Sequence, residues 1–242
     1  MNKYFDVRLE FNHSKLEEII TSIALGGKGY CCFVDLTSLV YSYNNSYFKN
    51  LLNNASVNSC DGSYIAMSAS RIYREELTEY IGPDFFKKFI YKKGSHLILG
   101  STTNVFRKII DKISSKGVDV SEISYLGLPF KTVEEFDYKS ISEVINARKP
   151  NYIWISLGAP KQEYFMAKLL PLIDSGILLG VGAALNYFTG EIKDIPKWSK
   201  KFHLIWLYRL LTEPKKQIKR LKNIIVIFPK MIKEEIRKNS YN

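Results

Sequence analysis

Apolar residues along this chain gather in two kinds of run, and their alternation is the first thing the sequence reveals. Short, nearly continuous apolar runs occur at residues 30–34, 96–100, 124–127, 152–158 and 177–181, each closed by Gly, Asp or a polar turn, and 57–60 is a further strand end running into Asp61-Gly62. Runs of four to seven β-branched, aromatic and aliphatic residues with such borders predict strands buried on both faces. Between them lie longer segments in which apolar residues recur at spacings of three and four, at 41–54, 69–80, 105–113 and 138–148, with another after Gly82-Pro83-Asp84 and one after Gly158. That period predicts helices. Ser101-Thr102-Thr103-Asn104 supplies cap residues between the run at 96–100 and the helix that follows, the form of a βα unit able to turn backbone N–H groups toward a phosphate. Strand and helix in strict alternation predict an α/β fold, a Rossmann-like mostly parallel sheet with helices on both faces.

The pattern changes after Pro196. Ile218, Leu221, Ile225 and Phe228 stand three and four apart with lysines between them, which predicts an amphipathic basic helical appendage, and Pro214 and Pro229 predict its division into two or three helices. We therefore expect an α/β core over 1–192 and a basic C-terminal appendage over 193–242. The longest purely apolar run there, 224–228, falls far short of the roughly 20 residues that cross a bilayer. Residues 1–14 alternate polar and apolar positions and lack the apolar centre of a signal peptide.

Charge sharpens this division. From residue 193 onward there are 14 Lys/Arg against 4 Asp/Glu, a net of +10, which leaves 21 against 20, a net of +1, for residues 1–192. A segment so basic attracts phosphates, whether of lipid head groups, nucleic acid or a phosphorylated substrate. Its interleaved Trp, Tyr and Phe keep a nucleic-acid-binding reading open, although a continuous apolar stripe suits a lipid interface or the protein's own core better. Cys31, Cys32 and Cys60 are odd in number and have no metal-ligand spacing, so they read as reduced thiols of a cytoplasmic protein. His13, His96 and His203 do not pair with carboxylates or cysteines at ligand spacing, and no Asp-x-Asp pair occurs, so no metal site is expected.

Two places could carry chemistry. Gly158-Ala159-Pro160-Lys161-Gln162-Glu163 lies where a strand passes into a helix, so Gly158 allows close approach of a ligand while Lys161 and Gln162 can reach phosphate or sugar hydroxyls. Asp61 offers a carboxylate at a strand end, where a general base can take a proton from an acceptor hydroxyl. On pattern alone the plainer readings come first at both: a tight turn opening a helix, and an Asp-Gly turn residue.

Taken together, these residues resemble a family. Gly158-Ala159-Pro160-Lys161-Gln162-Glu163, Val181-Gly182-Ala183-Ala184 with Phe188-Thr189-Gly190, Pro196-Lys197-Trp198, and Trp206-Leu207-Tyr208-Arg209-Leu210 with Glu213-Pro214 are similar in order and spacing to the WecG/TagA/CpsF glycosyltransferases. Asp61-Gly62, Gly82-x-Asp84, Leu99-Gly100 and Gly127 fit as well, so the resemblance spans roughly 50–222. It implies an inverting, metal-independent transferase that moves an N-acetylmannosamine-type or other sugar from a UDP-sugar to a polyprenyl-diphosphate-linked acceptor in cell-surface polysaccharide synthesis. The resemblance gives Asp61 the part of general base and Gln162 that of active-site glutamine. Gly62, Gly100, Gly158, Lys161, Glu163, Gly182, Tyr208 and Arg209 become substrate-binding residues, Arg209 in a region that closes over the donor diphosphate. It further implies no cofactor beyond the UDP-sugar, no nucleic-acid partner, and a peripheral position on the inner face of the cell membrane against an anionic surface, with a homo-oligomer left open. The chain departs from the family at Glu79, where an Arg is usual, and at Ile205 and Asn186, where acids are usual. A catalytically inactive homologue is the reading those departures keep open.

Overall fold

The computed structural model describes residues 2–193 and 214–240, with the backbone alone for 214–220. The chain opens with a two-stranded hairpin, β1 (Lys3–Tyr4) and β2 (Val7–Arg8), turned by Phe5 and Asp6 at φ 54° and 64°. Two central residues of positive φ match the right-handed twist of the strands they join. Helix α1 (His13–Gly26) follows, capped by the Asn12 side chain, which accepts from the Lys15 amide. It buries Leu16, Ile20 and Ala24, one face at four-residue spacing.

Six parallel strands form the sheet: β3 (Lys28–Val34), β4 (Val57–Cys60), β5 (His96–Gly100), β6 (Ile123–Leu126), β7 (Tyr152–Ser156) and β8 (Gly176–Gly180), in the spatial order β4-β3-β8-β7-β5-β6. In register, Cys31 stands beside Val57 on one flank and Leu179 on the other. On one face lie α2 (Leu36–Asn44), α3 (Ser46–Asn54), α4 (Ser63–Tyr73), α7 (Tyr138–Arg148) and α8 (Lys161–Leu169), packed over Val34, Leu99, Ile153 and Leu178. The other face carries α1, α5 (Gly82–Phe89), α6 (Thr103–Ser114) and α9 (Ala184–Thr189), over Ile98, Trp154 and Leu179. Alternate residues of each strand thus feed two separate cores, which is why these strands read as unbroken apolar runs.

The expected α/β sheet with helices on both faces is what the chain forms, and the differences are local. The single helix expected at 41–54 is two, because Asn45 leaves helical geometry and its side chain accepts from the Phe48 amide, capping a new helix. The helix expected at 69–80 begins instead at Ser63, directly after the Asp61-Gly62 turn, and stops where Arg74 turns left-handed at φ 56°. The proline expected to divide the C-terminal segment does not: α10 runs unbroken from Pro214 to Ser240 with Pro229 inside it.

Pro229 is exposed, and the residues on either side of it anchor the helix. Phe228 and Met231 are buried in the first core, with the Phe228 ring 5.7 Å from that of Phe5. The buried Glu235 accepts from the Phe5 amide at 2.7 Å and the Tyr73 hydroxyl at 2.6 Å, while Lys238 pairs with Asp6 at 2.6 Å. These contacts offset the hydrogen bond that proline removes, worth with its steric clash about 3 kcal/mol. The basic C-terminal helix is therefore fastened to the N-terminal hairpin, α2 and α4. Its inner seam is the half-buried Ile224 and the buried Phe228, Met231 and Glu235 rather than the expected stripe through Ile225, which is 62% exposed.

Candidate active site at the switch point

β3 and β8 are neighbours, yet their connections leave in opposite directions. β3 runs through Asp35 into α2 on one face, whereas β8 runs through Val181-Gly182-Ala183 into α9 on the other. Divergence of this kind opens a crevice beyond the carboxyl ends of the strands, the place where doubly wound proteins hold ligands. Here the crevice is a cleft of about 300 Å³. Asp35, Thr37, Ser38 and Tyr41 form one wall and Val181, Gly182, Ala183, Ala184 and Tyr187 the other. Gly158, Ala159, Pro160 and Gln162 close one end, and Asp61 and Pro83 the other.

Each wall follows from its local sequence. Asp61 leaves the end of β4 with its amide on the Val34 carbonyl at 2.9 Å, and its Oδ1 accepts from the Gly82 amide at 3.3 Å. Its carboxylate thereby stays at the cleft while α4 turns away. Asp35 caps α2, accepting from the Ser38 amide at 2.7 Å, so a second carboxylate stands in the same cleft. Gly158 and Gly182 take φ of 76° and 53°, conformations that favour glycine, and their turns bring two backbone segments against the same space. Ser156 ties those segments together, its hydroxyl donating to the Gly182 carbonyl at 2.8 Å.

Gln162 spans the cleft floor. Its Oε1 accepts from the Gly158 amide at 3.1 Å, and its Nε2 donates to the Gly180 carbonyl at 2.7 Å and to Glu163 Oε1 at 3.1 Å. Glu163 is 1% exposed, and its second oxygen has no hydrogen-bond partner. Burial pushes its carboxyl up to about 7, against the opposing pull of its own backbone amide and the Gln162 side chain. The cysteines of this neighbourhood are inert by the same physics: burial holds the Cys31 thiol up to about 12 and Cys32 and Cys60 well above their ordinary value.

Of the residues expected at the site, Asp61, Gln162, Gly158 and Gly182 are brought together around the cleft. Gly62 is the N-cap of α4 beside Asp61, and Glu163 lies directly behind Gln162. Lys161 points away, its Nζ on the Lys131 carbonyl and over the Phe130 and Phe136 rings at 5.4 and 5.0 Å. Gly100, at φ 85°, ends β5 outside the cleft lining, where an added Cβ would stand 3.3 Å from the Ser156 carbonyl. Tyr208 and Arg209 lie outside the described residues. Glu79, at the family's usual Arg position, accepts from the Ser63 hydroxyl at 2.8 Å. Sequence reading passed over Asp35, Thr37, Ser38, Tyr41 and Tyr187. For Asp35 a signal existed, a capping acid directly after a buried strand.

Among the described residues the cleft lining holds two carboxylates and no lysine or arginine. Nor do three His, Cys, Asp or Glu side chains converge anywhere among the described residues in a way that could hold a metal ion.

A parallel sheet with glycine turns and carboxylates at its switch point defines an α/β protein with a cleft where doubly wound folds place their ligands. The chain belongs to the WecG/TagA/CpsF family of glycosyl transferases, whose family model matches residues 5–241. It is similar to two proteins named N-acetylglucosaminyldiphosphoundecaprenol N-acetyl-beta-D-mannosaminyltransferase. The one from Bacillus spizizenii is 27% identical over 174 residues, covering 70% of this chain and 66% of the relative. The one from Bacillus subtilis is 28% identical over 186 residues, covering 75% and 70%.

Proposed function

We propose that this protein transfers an N-acetylmannosamine-type sugar from a UDP-sugar to an N-acetylglucosamine carried on a polyprenyl diphosphate, with inversion and without a metal ion. The observation that carries this reading is the placement of Asp61 and Gln162 in one cleft at the switch point of a family member whose relatives are named for that transfer. Asp61 takes the proton of the attacking acceptor hydroxyl as that oxygen bonds to the anomeric carbon, and UDP departs with the electrons of the broken bond. An ordinary aspartate is ionised at neutral pH and needs only reach.

Charge on the departing diphosphate has to be met by donors. The cleft wall supplies backbone N–H groups at its glycine turns but no cationic side chain among the described residues. The resemblance to the family assigns that positive charge to Arg209, which lies outside the described residues.

A lipid-linked acceptor places the reaction at a membrane surface, and no helix among the described residues is long and apolar enough to cross one. Residues on the outer side of α10 support docking there. Ile225 and Val226, 62% and 59% exposed, are flanked by the exposed Lys222 and Lys230.

The test is transfer by the purified chain from a panel of UDP-sugars to a short polyprenyl-diphosphate-linked N-acetylglucosamine, with and without chelator. Product formation undiminished by chelator is expected. Activity lost in chelator and restored by magnesium or manganese contradicts the metal-free mechanism, and no transfer from any UDP-sugar contradicts the proposed reaction.

A further inference from the structure

The hydrogen bonds around Gln162 fix which end of its amide faces which neighbour. Gly158 presents a backbone N–H and Gly180 a backbone carbonyl, groups whose polarity cannot be exchanged. Turned over, the amide would set its NH₂ against the Gly158 N–H and its oxygen against both the Gly180 carbonyl and Glu163. As it stands, both Nε2 hydrogens are used inside the protein, one on Gly180 and one on Glu163. The capacity left over is the second lone pair of Oε1, which lies 3.4 Å from where a Cβ on Gly182 would stand, at the cleft wall. Gln162 therefore offers the cleft an acceptor, the partner of a hydroxyl, and not a donor to phosphate.

Glu163 completes this brace from the interior. It is sealed from solvent, does not line the cleft, and reaches the reaction only through Gln162. We infer that Glu163 is a positioning residue of the transfer reaction, holding the Gln162 amide in its single working orientation from behind and not contacting substrate. The inference rests on the transferase reading above.

Two observations about its surroundings support the role. The titratable groups facing Glu163 are Cys32 on β3, a thiol that its own burial and the Glu163 charge keep neutral, and Asp35 at the head of α2, whose charge opposes ionisation of Glu163. A carboxyl is thus kept in a place where ordinary packing would favour an apolar side chain, with one oxygen unsatisfied. Because burial pushes Glu163 up to about 7, its hold on Gln162 changes near neutral pH. An ionised carboxylate accepts the Nε2 hydrogen more strongly than a neutral acid does.

The experiment follows the Gln162 side-chain amide and the Gly158 backbone amide by nitrogen-resolved NMR from about pH 5.5 to about pH 8.5. It uses the full chain as wild type, Glu163→Gln and Glu163→Leu, with kcat and KM measured in parallel. In the wild type both resonances are expected to titrate together with a midpoint near 7, and kcat to rise through the same range. Glu163→Gln, the neutral isostere of the protonated acid, keeps an acceptor and should hold both resonances near their low-pH positions, lose the titration, and keep kcat near the wild type's low-pH value across the range. Glu163→Leu should remain folded by thermal melt, displace the Gln162 resonance, and lower kcat on the order of 10- to 100-fold with donor KM little changed. Titration persisting unaltered in Glu163→Gln, no titration in the wild type, or wild-type kcat in Glu163→Leu overturns the inference. Absence of transfer by the wild type would defeat the transferase reading instead, and the NMR titration would still decide whether Glu163 positions Gln162.

Discussion

The protein buries two glutamates in two different ways. At the seam between hairpin, α4 and α10, Glu235 accepts a backbone amide and a tyrosine hydroxyl on one oxygen and lies 4.0 Å from Lys238 on the other. Behind the cleft, Glu163 accepts from Gln162 on one oxygen and leaves the other without a partner among acidic and thiol neighbours. A satisfied buried network rigidifies what it joins, whereas a partly satisfied one is retained at a cost and gathers at functional sites. The seam accordingly holds the fold together, and on the proposed reading the cleft does the chemistry, so damage to each should show in a different measurement.

The largest effect is expected at the cleft. Asp61→Asn should lower turnover roughly 100- to 10,000-fold, the usual worth of a general base, while thermal unfolding stays at the wild-type temperature. Near-normal turnover in a folded Asp61→Asn protein would remove Asp61 from the mechanism. The converse change is Glu235→Ala, which strands the Phe5 amide and the Tyr73 hydroxyl. It should cost on the order of 3 kcal/mol in denaturant unfolding while turnover per folded molecule is unchanged. A variant that unfolds like the wild type but has lost turnover would erase the distinction between the two regions.

pH separates them further. The folded-state pKa of Glu163, about 7, lies above its ordinary 4.5, so between those values the folded chain holds a proton that the unfolded chain has released. Its contribution to stability is present below the lower value and lost as pH rises through the higher one, a difference on the order of 3 kcal/mol. Glu163→Gln removes the titrating group, so its stability advantage over the wild type should grow from pH 5 to a plateau above about pH 8. A constant difference across that range would show that Glu163 does not titrate there. The smallest effect belongs to the surface: reversing Lys222 and Lys230 should weaken binding to anionic vesicles by about 1 kcal/mol each and leave transfer to a soluble short-chain acceptor intact. Unchanged vesicle binding would remove α10 from the membrane contact.

Much of this arrangement was legible in the sequence, for a physical reason. Strands buried on both faces must be apolar throughout, so β3, β5, β7 and β8 announce themselves as continuous runs. Helix α1 was not recognised, although Leu16, Ile20 and Ala24 mark its buried face. The boundaries of α2, α3 and α4 were set by single residues, Asn45 as a cap and Arg74 in the left-handed region, which periodicity does not weigh. Strand order was hidden, because β3 pairs with β8 across some 150 positions of chain and only tertiary packing makes them neighbours. That pairing creates the switch point, so Asp35 could be read as a strand end but not as a cleft wall. For Lys161 the motif position suggests a phosphate ligand, and the side chain stands over the Phe130 and Phe136 rings, a placement that periodicity and spacing do not convey.

If the donor binds in the switch-point cleft, UDP titrated into the full chain should find it there. Backbone amide shifts are the measurement. Saturable perturbations are expected at Asp35, Ser38, Gly158, Gln162, Gly182 and Ala183. Saturable binding that leaves those amides unmoved and instead perturbs the groove between α4 and α10, at Arg71, Arg74 and Asn239, would contradict that placement.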